Sequence, residues 1–227
     1  MNSIKLVSFL LPTRKRFDWL VDSINSIITN AKNKDNYDIL LAMDNDDLET
    51  IIKVENFINE NSLNNMVKLF KFDRKGYHNL HIYINELSTI SNSLYLCLWN
   101  DDAKITTINW DEILETSIKN QDQLYVYQMK NDHYPNIFPI VPKKWVDILG
   151  HFSLNAHNDS WIEDLALKLN VNKDIDIFAF HYRTDGTVTY MYNEVDESIS
   201  ISSPDFSTEK CKMEREIDLI KLRELYN

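Results

Sequence analysis

Apolar and polar positions alternate along this chain in two rhythms. Ile4–Leu11 is a largely apolar run closed by Pro12, the pattern of a strand buried on both faces, and Phe17, Leu20, Val21, Ile24, Ile27 and Ile28 then recur at helical spacing. The same succession repeats, with strands at Tyr37–Met43, Val67–Phe72 and Leu94–Trp99 and helices at Leu48–Ile58 and Leu80–Ile90. Strands that alternate with helices predict right-handed crossovers and a mostly parallel sheet covered on both faces, an α/β fold.

After Asp102 the simple winding stops. The pattern predicts a helix at Trp110–Ile118, a strand at Leu124–Gln128, a proline-punctuated segment from Pro135 to Pro142, and short helices at Lys143–Leu149 and Trp161–Leu169. Strands follow at Ile175–Phe180, which delivers His181 at its end, and at Thr187–Tyr192. From Glu194 the chain turns polar, Ser198–Ser203 and Pro204 read as a linker, and a charged helix spans Thr208–Tyr226. This divides the chain into a main domain, residues 1–193, and a linker with a charged helix, residues 194–227. Met213, Ile217, Ile220 and Leu225 give that helix enough apolar surface to pack on the domain or to form a homodimer.

Two of the strands end in acid. Leu96-Cys97-Leu98-Trp99 runs straight into Asn100-Asp101-Asp102, and Leu40-Leu41-Ala42-Met43 runs into Asp44-Asn45-Asp46-Asp47. Carboxyl ends of strands are where open α/β sheets hold ligands, so carboxylates there point to a divalent cation and a phosphorylated substrate. Each cluster also has a plainer reading. Asp and Asn are ordinary turn residues, and Asp44 to Asp47 suit the N-cap and acidic first turn of the helix beginning at Leu48.

Composition narrows the field. With 24 basic against 35 acidic residues the net charge is −11, which disfavours a nucleic-acid partner, because phosphate neutralisation needs clustered Lys and Arg. Gly76, Gly150 and Gly186 are the only glycines, and no phosphate-binding loop of nucleotide triphosphatases or dinucleotide enzymes can be built from them. The two cysteines, Cys97 in the most apolar strand and Cys211, together with the lack of a signal-peptide pattern before Ile4, lead us to expect a reducing, cytoplasmic setting. The longest apolar runs fall far short of the roughly 18 residues of a membrane span, so no transmembrane segment is expected.

In order and spacing, the chain from about residue 3 to 192 resembles the GT-A-fold glycosyltransferases, in particular the family-2-like enzymes with a Pro-Thr-Tyr-Asn-Arg type segment after the first strand. Leu11-Pro12-Thr13-Arg14-Lys15-Arg16 occupies that place. The resemblance implies a GT-A fold, a nucleoside diphosphate sugar donor contacted by Pro12, Thr13, Arg14, Asp44 and Asp46, and a glycan or other hydroxyl acceptor. It matches Asn100-Asp101-Asp102 to the family's acid-rich metal motif, with Asn100 in place of the usual leading Asp. Asp102 and the late histidine, His181, would then hold Mn2+ or Mg2+, with Asn100 and Asp101 near the ribose or the ion, and Arg183 could pair with phosphate.

The later acidic pair of the family is resembled by Glu163-Asp164. Inverting transfer needs a carboxylate to take the acceptor's proton, a role that falls to Asp164, with Glu163 or Asp159 as substitutes. Trp161 is either a sugar-stacking ring or a core residue at helical spacing from Leu165 and Leu169. The expected function is metal-dependent, inverting sugar transfer. A sugar-phosphate nucleotidyltransferase and a non-catalytic nucleotide-sugar-binding protein of the same fold are the alternatives. The first of these is disfavoured because Leu11–Phe17 contains no glycine.

Overall fold

A computed structural model describes residues 4–119, 121–131, 137–182 and 206–226. The strands are β1 (Lys5–Thr13), β2 (Tyr37–Asp44), β3 (Val67–Phe72), β4 (Ser93–Leu98), β5 (Ala103–Ile105), β6 (Val126–Asn131), β7 (Pro139–Pro142) and β8 (Asn172–His181). The helices are α1 (Phe17–Asn30), α2 (Leu48–Glu60), α3 (Leu80–Ile90), α4 (Trp110–Lys119), α5 (Lys143–Leu149), α6 (Asn158–Lys168) and α7 (Glu209–Arg223). The expected strand at Thr187–Tyr192, the linker at Ser198–Ser203 with Pro204, Arg183 and Pro135 lie outside the described residues.

One sheet joins all eight strands in the order β3-β2-β1-β4-β7-β6-β8-β5. Its first four strands are mutually parallel, β7 runs antiparallel to both β4 and β6, and β6 pairs parallel with β8. The expected mostly parallel α/β architecture therefore holds, with β7 and β5 as antiparallel additions. β2 is buried along its whole length, as its unbroken apolar run requires. The edge strand β3 instead alternates Val67, Leu69 and Phe70 with Lys68 and Lys71, charges that discourage further strand pairing.

Side chains of successive strand residues point to opposite faces, and each face is covered by its own helices. Val7, Phe9 and Leu11 pack with Leu20, Ile24 and Ile27 of α1, Ile51, Val54 and Ile58 of α2, and Trp110 and Leu114 of α4. Leu10, Leu40 and Leu96 pack with α3, α5, α6 and α7 through Ile84, Trp145, Trp161 and Leu219. α7 is thus held on the same face of the sheet as α5 and α6.

Three differences from the sequence pattern have simple causes. β1 continues through Pro12 to Thr13, because the ladder to β4 stops at Leu10 and the missing N–H of Pro12 costs no bond there. β7 is hidden in the sequence by its prolines, which fall at its two ends. β5 is only three residues long and follows two aspartates, too short for a periodic signal.

β1 is the point at which strand order reverses, with β2 and β3 on one side and β4 on the other. Such a reversal opens a crevice at the carboxyl ends of the strands. The two acidic strand ends and the basic segment after β1 all meet at this crevice.

Candidate active site

The basic turn after β1 spans the crevice. Lys15 adopts a left-handed backbone (φ 56°), which reverses the chain so that Arg14 and Arg16 reach opposite ways. Arg14 Nη1 donates to Asp44 at 2.9 Å and also holds Asp46. Arg16 Nη1 lies 2.6 Å from Asp101 Oδ1 and 3.3 Å from Asp102 Oδ2. Thr13 Oγ1 donates to the other Asp101 oxygen at 2.7 Å, a bond that crosses directly from the end of β1 to the end of β4. The Lys15 backbone N–H is accepted by Asp47, which also takes the Thr50 hydroxyl, so Asp47 fixes the turn to the start of α2.

Burial sets the electrostatics. Asp44, Asp101 and Asp102 are all nearly inaccessible. Desolvation pushes the Asp101 carboxyl up to about 6, with the neighbouring Asp102 charge adding to the rise and Arg16 and Thr13 opposing it. Asp46 is half exposed and is held below the usual carboxylate range by its hydrogen bond from Arg14. Asp44 receives a further bond from the Tyr83 hydroxyl, which itself accepts from the Lys75 N–H. That hydroxyl is raised well above the ordinary phenol range, first by burial and then by its bond to Asp44. The loop after β3 reaches the same place, with Arg74 3.9 Å from Asp46.

His181 arrives by tertiary pairing. β5 and β8 run antiparallel with Ala103 opposite His181, and the Tyr182 N–H donates to the Asp102 carbonyl at 3.0 Å. Consequently His181 Nε2 lies 3.1 Å from Asp102 Oδ1 with both side chains about 5% exposed. An aromatic floor supports them: Phe138 meets the imidazole edge-on at 5.6 Å, Trp99 packs on Phe138, and Phe9 packs edge-on against Trp99 and Trp110. Trp99 Nε1 donates to Ser23, whose hydroxyl contacts the Asn100 carbonyl, so the turn entering the acidic pair is also fixed.

The expected base does not join this cluster. Asp164 accepts from Arg215 of α7 at 2.9 Å and pairs with Lys168 at 3.1 Å. α6 descends from the carboxyl-end rim of the sheet, since Val171 just after it bonds the first residue of β6. Asp159, in the first turn of α6, is therefore nearer that rim than Asp164, which sits about 7.5 Å further down the axis. Glu163 is half-buried on the same helix. Trp161 is core: it is fully buried, and its indole N–H donates to Asp218 of α7 at 3.0 Å, which leaves no ring face for a sugar.

Thr13, Arg14, Asp44, Asp46, Asp101, Asp102 and His181 are thus brought together, with Pro12 at the foot of the same turn. Arg16 is visible in the sequence only as part of a basic run. Tyr83 and Phe138 are not visible there, because each sits in an apolar pattern and acts through a contact remote in sequence. Among the described residues no group of three or more His, Cys, Asp or Glu side chains is placed to hold a metal ion. Asp102 and His181 offer one carboxylate and one imidazole, a donor pair that would suit a divalent cation.

No protein-family model matches the chain, and no curated protein matches it in sequence. Solved structures do match in fold. The mannosyltransferase PcManGT from Pyrobaculum calidifontis, in complex with GDP-Man and Mn2+, superposes with a TM-score of 0.64 at 10% identity, over 98% of this chain and 74% of that one. TarS 1–349 from S. aureus matches in complex with UDP-GlcNAc (TM-score 0.63, 11% identity, 97% and 67% covered) and in complex with UDP (0.58, 14%, 77% and 60%). In the UDP complex the match spans 60% of the length of the TarS fragment. The chain has the GT-A glycosyltransferase fold.

Proposed function

We propose that this protein transfers a sugar from a nucleoside diphosphate sugar to a hydroxyl acceptor, a glycan or another alcohol, in the cytoplasm. The observation that carries this reading is the buried Asp102–His181 pair at the reversal point of a GT-A sheet, next to a turn bearing Arg14 and Arg16. Asp44 and Asp46, held by Arg14, suit the nucleoside, and Thr13 and Arg16 border the diphosphate. Asp101 accepts the shorter bonds, from Thr13 at 2.7 Å and Arg16 at 2.6 Å, which suits it to position the turn, whereas Asp102, held more loosely by Arg16 at 3.3 Å and lying beside His181, suits the ion. When bound there, Mn2+ would offset the charge that develops on the departing diphosphate.

The acceptor's proton goes to a carboxylate on the rim. Asp159 is better suited than Asp164, because Asp164 faces α7 and is already paired with Arg215. As that proton leaves, the acceptor oxygen attacks the anomeric carbon, and the bond to the diphosphate breaks with its electron pair staying on the leaving oxygen. A direct displacement of this kind inverts the anomeric centre.

The test is a thermal-shift and turnover screen of nucleoside diphosphate sugars with and without Mn2+. Transfer or donor hydrolysis that depends on the cation, and is lost in Asp102→Ala, is the expected result. Release of pyrophosphate from a nucleoside triphosphate and a sugar phosphate would replace this reading with nucleotidyl transfer. Binding without turnover of any donor would replace it with a binding protein. Retention at the anomeric carbon would remove the base from its role.

A further inference from the structure

α7 presents two unlike faces. Its inner face is tightly docked: Asp218 accepts from Trp161 and lies 3.3 Å from His151, Arg215 holds Asp164 and stacks on Phe206, and Leu219 and Leu222 are buried. The helix therefore cannot turn its outer face inward. Along that outer face Lys210, Met213, Ile217, Ile220 and Glu224 recur at steps of three and four residues, which places them in one stripe. Met213, Ile217 and Ile220 are 65%, 51% and 60% exposed, in a helix otherwise rich in charge.

The stripe is self-complementary. It has an apolar centre, a cation at its amino end and a carboxylate at its carboxyl end. We propose that it is a homodimer interface in which α7 of a second copy lies antiparallel about a two-fold axis at Ile217. This register sets Ile217 against Ile217 of the partner subunit, and Lys210 against Glu224 of the partner subunit at both ends. Met213 then lies within about 1.5 Å, along the axis, of Ile220 of the partner subunit. A parallel pairing would oppose Lys210 to its own copy. An anionic membrane gains little here, because Glu209, Glu214, Glu216 and Glu224 offset Lys210, Lys212, Lys221 and Arg223 along the same segment. Lys210 can reach across: its side chain is 83% exposed, and its ion pair with Glu214 is a loose one at 3.8 Å. A stripe about 21 Å long makes a small interface, so the dimer is weak and concentration-dependent.

Sedimentation equilibrium from low-micromolar to near-millimolar protein tests this. The average mass should rise from 26.8 kDa toward twice that value. Ile217→Glu, at an exposed position, should weaken association about tenfold or more with an unchanged melting temperature. Lys210→Glu should also weaken it, and adding Glu224→Lys should restore it. In a Cys211→Ser background, Ile217→Cys should form a symmetric disulfide dimer under oxidised glutathione. A monomer at every concentration, a dimer indifferent to Ile217→Glu, or Ile217→Glu acting only on binding to anionic vesicles would each overturn the proposal. None of these readouts depends on catalytic activity.

Discussion

His181 stands opposite Ala103 across the β5–β8 ladder, and this single pairing brings its imidazole to 3.1 Å from the carboxylate of Asp102, 79 residues away in the chain. The contact joins the turn after β4, which carries the acidic pair, to the end of β8. If it is the cation corner of a transferase, Asp102→Ala should lower kcat/KM about a hundredfold or more, as the loss of one group that stabilises developing charge commonly does. Arg16 keeps Asp101 as its partner in that variant, so circular dichroism should remain native. His181→Ala should instead weaken Mn2+ binding, read by the shift in melting temperature on adding the ion.

Arg16 is the counter-charge for two buried carboxylates. Arg16→Ala removes that charge from two adjacent buried carboxylates, and the fold should lose about 3–5 kcal/mol, measured by denaturant unfolding. Because a divalent cation can replace part of the missing charge, Mn2+ should raise the melting temperature of the variant more than that of the wild type. Equal shifts would separate Arg16 from the ion site.

Tyr83→Phe deletes the hydroxyl bound to Asp44 while keeping the ring that packs edge-on against Phe72. The lost bond is to a buried carboxylate and should cost about 1.5–3 kcal/mol of stability. If Asp44 contacts the nucleoside as proposed, the kinetic effect should fall on donor KM and leave kcat close to wild type. Steady-state kinetics at saturating acceptor checks this division.

Asp159 and Asp164 make different contacts, one with the Ser160 N–H and the other with Arg215 of α7, and two amide variants distinguish the roles proposed for them. Asp159→Asn should lower kcat by about 10²–10⁴-fold with donor binding unchanged, the usual span for loss of a general base. Asp164→Asn should leave kcat near wild type and lower the melting temperature, because Arg215 of α7 loses its carboxylate partner. The opposite pattern would return the base to Asp164.

Much of the architecture is legible in the chain. The strands and helices from Ile4 to Trp99 fall close to where apolar periodicity puts them, because each is long enough to show its period and each face of the sheet is covered. The acidic strand ends are equally plain, since charge that directly follows a buried apolar run must lie where the strand leaves the core. β5 and β7 are not legible: one is too short to carry a period, and the other is framed by Pro139 and Pro142. Trp161 shows the reverse limit, as an aromatic ring at a helix start reads the same whether it faces a sugar or, as here, Asp218.

The parallel winding, the acid at the ends of β2 and β4, and the basic turn after β1 can be read from the chain alone, because they follow from local pattern and from the hydrophobic demand that fixes it. Which of these charges meet is set by the folding of the sheet. It gave Asp102 its histidine through β5, set Arg14 and Arg16 on different carboxylates through the left-handed Lys15, and turned Asp164 toward α7. Such contacts join residues far apart in the chain, and their energy depends on burial and geometry that exist only after the sheet has closed around them.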